Sequence, residues 1–215
     1  MSEHDPVDHE SAEERTRESQ RAALEVRQSH LRRVDQAMGD GAASVKIRDD
    51  IREWADGYCT GRPDNLILLG PTGTGKTSQG WQAIRWIVEH DPEPWRNEPT
   101  WDGRVPQVNS SWISEYYSDM AARLRAAEGS ESFMDEIKLV GVLMIDDFIN
   151  LATTWQAVQL KRIFEARWKY QRPTIVTSNL PEDELRKVLP DTVESRLFHT
   201  AKVIIMRGSD FRVTQ

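Results

Sequence analysis

Eight consecutive residues of this chain, Gly70-Pro71-Thr72-Gly73-Thr74-Gly75-Lys76-Thr77, fit the pattern G-x-x-x-x-G-K-[ST] at every fixed position. The chemistry this composition serves is phosphate binding. Glycines can take positive φ and leave room for phosphate oxygens beside the backbone. Successive N–H groups then point into one concavity, at the positive end of the helix that follows. The ammonium of Lys76 would lie along the β- and γ-phosphates, and the hydroxyl of Thr77 would ligate Mg²⁺. The bland alternative is a Gly-rich turn that merely contains Lys-Thr. The loop alone does not say which nucleotide is bound, or whether it is hydrolysed.

Two further sets of residues belong with this loop. Gly141-Val142-Leu143-Met144-Ile145 is an apolar run that ends in Asp146-Asp147. Such a run reads as a buried parallel strand with carboxylates at its C-terminal end, where ligands of open α/β sheets sit. Beside a phosphate loop, Asp146 would hold Mg²⁺ through water and Asp147 would polarise an attacking water. Pro173-Thr174-Ile175-Val176-Thr177-Ser178-Asn179 is a second buried strand with polar residues at its end. Asn179 there can hydrogen-bond the water or the γ-phosphate.

The elements that must position these residues are legible around them. Leu66–Leu69 reads as a short buried strand feeding the loop, and a helix runs from Lys76 to about Val88. Asp91–Arg104 contains Pro92, Pro94 and Pro99 and is read as a loop. Its Trp95, Arg96, Trp101 and Arg104 could stack single-stranded bases, or the tryptophans could cap a sheet edge. Val105–Val108 is read as an edge strand. Ser110 or Ser111 is read as the cap of a helix reaching about Ala127, and a short helix follows to about Leu139. Residues Thr153–Tyr170 predict a helix with Trp155, Val158, Ile163 and Phe164 on its buried side. Its Lys161, Arg162, Arg167 and Lys169 are read as a solvated basic face, with DNA or an acidic neighbour as the alternative. Short helices are expected over Leu180–Leu189 and around Val193–Leu197, and a last strand over Lys202–Met206.

The start of the chain is different. Residues 1–10 are acidic and poor in apolar groups, and are expected to be disordered. Ser11-Ala12-Glu13-Glu14 could cap a helix carrying Leu24, Leu31, Val34 and Met38 on one narrow stripe. That stripe suits either the chain's own body or a partner. Gly39-Asp40-Gly41 breaks it. A second stripe, Ile47, Ile51, Trp54 and Tyr58, is expected to pack on the core. The boundary between an N-terminal segment (residues 1–40) and a nucleotide-binding domain (residues 41–215) is drawn there.

At 215 residues the chain can bury one good core. Its net charge of −7 argues against a whole-surface grip on nucleic acid, and leaves a local basic patch open. Seven acids and two arginines within Met1–Gln20 account for most of that excess. The single cysteine, Cys59, offers neither a disulfide nor a zinc cluster, and no apolar run approaches a membrane span. The expected setting is a reducing cytoplasm with no membrane contact.

The order of motifs resembles the AAA+ ATPases, and within them the DnaC/DnaI-type replicative helicase loaders and their IstB relatives. The likeness rests on Leu-Ile-Leu-Leu-Gly-Pro-Thr-Gly-Thr-Gly-Lys-Thr, Leu-Met-Ile-Asp-Asp, Ile-Val-Thr-Ser-Asn-Leu, Glu-Ser-Arg-Leu and Gly-Ser-Asp-Phe-Arg, across residues 62–212. It implies a three-layer α/β P-loop fold with a parallel sheet and no C-terminal helical lid, to which the residues before it add a helical N-terminal extension. It implies ATP and Mg²⁺ as cofactors and ATP hydrolysis, which the short side chain of Asp147 is expected to make slow and switch-like. It makes Asn179 the γ-phosphate sensor. It makes Arg196 an arginine finger, reaching the nucleotide of a neighbouring copy by self-association. Arg212 is implied as a phosphate sensor. The implied partners are a hexameric replicative helicase and single-stranded DNA, in a bacterial cell or a bacteriophage-infected host. An IstB-like transposition ATPase, binding duplex DNA and a transposase, is the first alternative. A small-molecule kinase and a scarcely hydrolysing adaptor are the others. The chain departs from the common AAA+ pattern in Asp147, where Glu is usual, and in Phe148-Ile149-Asn150 after it.

Overall fold

The computed structural model describes residues 7–61, 64–90, 112–126, 130–149, 151 and 153–208. The loop tryptophans Trp95 and Trp101, the expected strand Val105–Val108, and Arg212 lie outside them.

The centre is a five-stranded, wholly parallel sheet in the order β2-β3-β4-β1-β5. Its strands are β1 (Leu66–Leu69), β2 (Trp112–Tyr116), β3 (Val142–Asp146), β4 (Thr174–Ser178) and β5 (Lys202–Ile205). Strands β1, β3 and β4 are buried throughout, because helices cover both faces of a parallel sheet. Alternation sorts their side chains. Ile67, Leu69, Leu143, Ile145 and Val176 face one layer, and Leu66, Leu68, Met144, Ile175 and Ile204 face the other.

The first layer is built by α4 (Tyr117–Arg125), α5 (Ser130–Leu139), α6 (Thr154–Lys169), α7 (Glu182–Val188) and α8 (Asp191–Phe198). The second is built by α1 (Val7–Ala43), α2 (Asp49–Cys59) and α3 (Lys76–His90). As expected, Ile51 and Trp54 are buried and Ile47 and Tyr58 pack beside them. Trp54 Nε1 also donates to Asp64 O at 2.9 Å, fixing α2 to the approach of β1.

Helix α1 starts at Val7, so part of the segment expected to be disordered is helical. It continues past Gly39, whose φ of 70° marks a kink. Val34 and Met38 are buried and Leu31 packs against the same cluster, while Leu24 and Val26 are exposed. The stripe therefore divides: its C-terminal half packs on the chain's own body, through Gln82 Nε2 donating to Ala42 O and the Arg85–Asp35 pair. Its N-terminal half is left in solvent.

Two further expectations are corrected. Residues 112–116, read as part of a helix capped by Ser110 or Ser111, form β2 instead, and the helix begins at Tyr117. Parallel pairing with β3 (Trp112 beside Val142, Tyr116 beside Asp146) outweighs the capping signal in this aromatic-rich run. On α6, Val158 is exposed and Arg167 is buried, the reverse of the expected faces.

Candidate functional site

Strand β1 lies between β4 and β5, with β3 beyond β4. The loop leaving β1 thus has the C-terminal end of β4 beside it and that of β3 one strand further, and three distant stretches of sequence meet there. Gly70 opens the loop at φ 148°, and a Cβ on it would lie 2.2 Å from Met206 O. Only glycine lets β1 end this close to β5, where Met206 N donates to Leu69 O at 2.6 Å. Gly73 and Gly75 also take positive φ, and Thr74 Oγ1 ties the loop back to Pro71 O at 2.8 Å. Helix α3 starts at Lys76.

Lys76 is buried, and its ammonium donates to Gly70 O (2.7 Å), Pro71 O (2.8 Å) and Asn179 Oδ1 (2.7 Å). Asn179 in turn donates from Nδ2 to Asp147 Oδ1 at 2.9 Å. Asp147 leaves the line of β3 at φ 53°, a conformation that Asp tolerates better than most residues. The turn puts its carboxylate at the surface beside Asn179, while Asp146 stays 3% exposed.

Asp146 accepts from Thr77 Oγ1, 3.0 Å from both of its carboxylate oxygens, and from Thr177 Oγ1. Thr177 Oγ1 also accepts from Asp147 N at 2.9 Å. One hydroxyl therefore holds both acids. Phe148 N donates to Thr177 O at 2.9 Å and Ser178 Oγ donates to Phe148 O, locking the turn after β3 onto β4. Thr177 and Ser178 were not given roles from the sequence, where they stand only within the Thr-Ser-Asn run that ends the strand.

The donor set fits Mg²⁺. Asp146 is a buried carboxylate with no ion-pair partner among the described residues, and a hydroxyl oxygen stands beside it. Hard oxygen ligands of this kind, completed by water and phosphate, are what Mg²⁺ takes. No group of three or more His, Cys, Asp or Glu side chains is placed to hold a metal among the described residues. Thr77 and Asp146 together would leave the other positions around such an ion to further oxygen ligands. Lys76 and Asn179 present cationic and amide donors next to it.

Arg196 is elsewhere. Asn65, which precedes β1, donates from Nδ2 to Arg196 O (3.2 Å) and Leu197 O (2.9 Å). Arg196 therefore sits at the N-terminal edge of the sheet, opposite the loop. Its guanidinium donates to Thr192 O at 3.0 Å and pairs loosely with Glu165 at 3.6 Å. Within one chain it does not join the cluster around Lys76.

No family model matches the chain. An uncharacterised protein, YqaM of Bacillus subtilis, is 23% identical over 155 residues. That match covers 68% of this chain and 44% of the relative, so the chain spans less than half of that protein's length. Among solved structures, DnaI is similar with a TM-score of 0.58 and 20% identity, over 79% of this chain and 88% of that one. The DnaC helicase loader has a TM-score of 0.60 and 16% identity, over 77% and 96%. The replication initiator DnaA, bound to AMPPCP and single-stranded DNA, has a TM-score of 0.56 and 16% identity, over 75% and 45%. The sheet order, the helices on both faces and these likenesses together show that the chain shares the parallel α/β fold of DnaI and the DnaC helicase loader.

Proposed function

We propose that the protein is an ATP-dependent loader that delivers a hexameric replicative helicase onto single-stranded DNA. The observation that carries the reading is the convergence of Lys76, Thr77, Asp146, Asp147 and Asn179 at one edge of the sheet. The likeness to the DnaC helicase loader, and to DnaA bound to AMPPCP and single-stranded DNA, supports the choice of nucleotide and of partners.

In this reading Gly70–Thr77 binds ATP, and Lys76 shifts from the carbonyls of Gly70 and Pro71 to phosphate oxygens. Thr77 and Asp146 hold Mg²⁺, which supplies charge neutralisation on the phosphates. Asp147 accepts the proton of the attacking water while Asn179 orients the Asp147 carboxylate. Arg196 completes the site of an adjacent copy, so hydrolysis accompanies self-association. Residues 41–215 form the ATPase domain and the N-terminal segment contacts the helicase. Its solvent-facing Leu24 and Val26 support that assignment. Arg212 acts as a phosphate sensor. Among the described residues no helix is long and apolar enough to cross a membrane.

The test is coprecipitation with a hexameric replicative helicase, using Leu24→Glu and a deletion of residues 1–23. A deletion through residue 40 would also remove the buried Val34 and Met38 and confuse folding with binding. Helicase retention by the intact chain, lost in both variants, is the expected result. Filaments on duplex DNA with ATP, and no helicase contact, would favour the IstB-like alternative.

A further inference from the structure

A cavity of about 430 Å³ opens beside Asn65, which precedes β1, and Thr174, which begins β4, at the end of the sheet opposite the loop. Arg167, Lys169, Arg172 and Arg196 line it, against one acid, Asp64. Trp168, 46% exposed, forms part of its wall.

Arg167 sets the charge of this region. It is 1% exposed, and its guanidinium donates to Thr174 Oγ1 and Ile137 O (2.9 Å each), Val140 O (2.9 Å), Gly141 O (3.4 Å) and Pro173 O. None of these acceptors is a carboxylate. The cation is held by dipoles alone, so its field is not cancelled locally. Burial, with the positive charge of Arg172 nearby, pulls the Arg167 pKa down to about 9.

The remaining arginines are under-used. The Nε atoms of Arg172 and Arg196 are both buried with no hydrogen-bond partner among the described residues. Arg196 spends its other nitrogens on one carbonyl and a loose contact with Glu165. Arg172 and Lys169 at the wall of one cavity, against a single acid, suit an anion with several acceptor oxygens. A phosphate answers that description. The cavity exceeds the size of a bare phosphate, and an exposed indole at its wall offers a surface for a base.

We propose that this cavity binds a nucleotide unit, with its phosphate beside Arg172 and its base against Trp168. The site lies across the sheet from Gly70–Thr77 and does not depend on the ATPase reading. The unit belongs either to a free nucleotide or to a single strand, and the two sources share this chemistry.

The test is fluorescence anisotropy of a labelled oligothymidylate on the full chain, with Lys76→Ala measured in parallel to reveal any binding at the loop. Arg172→Gln and Trp168→Leu are each expected to weaken binding about tenfold. Circular dichroism checks their folding, and the exposed Trp168 site decides if Arg172→Gln unfolds. Competition by dTMP would assign the cavity to free nucleotides as well. An Arg172-dependent oligonucleotide complex that dTMP leaves intact would assign it to the strand. Unchanged affinity in both folded variants would overturn the proposal. So would displacement by inorganic phosphate as effective as that by dTMP, or displacement by a glutamate-rich peptide alone.

Discussion

Asn179 holds Asp147. The amide Nδ2 donates to Asp147 Oδ1 at 2.9 Å while Oδ1 of the same amide accepts from Lys76 at 2.7 Å. One side chain thus links the group read as the base to the group read as the phosphate clamp. Asn179→Ala removes both contacts without touching the loop glycines. Turnover is expected to fall about 100-fold, with ATP affinity changed only a few-fold. Steady-state hydrolysis beside direct ATP titration separates the two. A variant that loses affinity but keeps its turnover number would show that Asn179 is a binding residue only.

Thr177 makes a different contribution. Its hydroxyl donates to Asp146 and accepts from Asp147 N at 2.9 Å, inside a strand that is fully buried. Thr177→Val keeps the shape and deletes both bonds, leaving a buried carboxylate and a backbone N–H short of partners. The expected cost is about 1–3 kcal/mol of stability, with a loss of turnover as the two acids lose their common anchor. Urea unfolding measures the first and ATP hydrolysis the second. Thr177→Ser should restore most of both, because it returns the hydroxyl.

The contrast between these two residues shows what could be read in advance. Gly70–Thr77, Asp146 and Asp147 were legible because their chemistry requires those types at that spacing beside a strand. Asn179 was legible as the polar end of a buried strand. Thr177 was not, since a Thr in a strand is ordinary β-former content and only the register of β4 beside β3 reveals its hydroxyl between two acids. Arg167 was misread for a related reason. In a helix with three other basic residues it looks solvated, and its burial follows from carbonyls of Ile137, Val140 and Pro173 that lie far away in sequence or across a turn. Strand β2 was misread because its partner, β3, outweighs a local cap.

Tyr117 supplies a test by pH. Its ring is buried and edge-packed on Phe148 with centroids 4.7 Å apart, and its hydroxyl has no hydrogen-bond partner among the described residues. Burial raises its pKa to about 12 from an ordinary 10. Between pH 10 and 12 the unfolded chain has lost this proton while the folded chain keeps it. Folding stability therefore falls as pH rises through that window, by up to about 2–3 kcal/mol from this group. Tyr117→Phe should remove that part of the decline. At pH 8 it should be neutral or stabilising by about 1 kcal/mol, because no hydrogen bond is lost and a buried hydroxyl is relieved. Thermal unfolding of both proteins from pH 8 to 12 checks the sign and the window.

Arg196 is the remaining residue of the proposed hydrolytic site, and its position makes the sharpest demand on the reading. Asn65 anchors its backbone at the edge of the sheet opposite Lys76, so it cannot serve the nucleotide of its own chain in this arrangement. If it serves a neighbour's, specific ATPase activity must rise with protein concentration, and Arg196→Ala must lower it about 10³-fold. Mixing decides between a catalytic and a merely structural role. Arg196→Ala lacks the guanidinium but keeps its loop, whereas Lys76→Ala lacks the clamp but keeps Arg196. Each alone should be nearly inactive, and together they should recover activity at junctions where an intact loop meets an intact Arg196. A mixture no more active than its parts, with both variants folded and associating, would mean that the arginine does not act across copies.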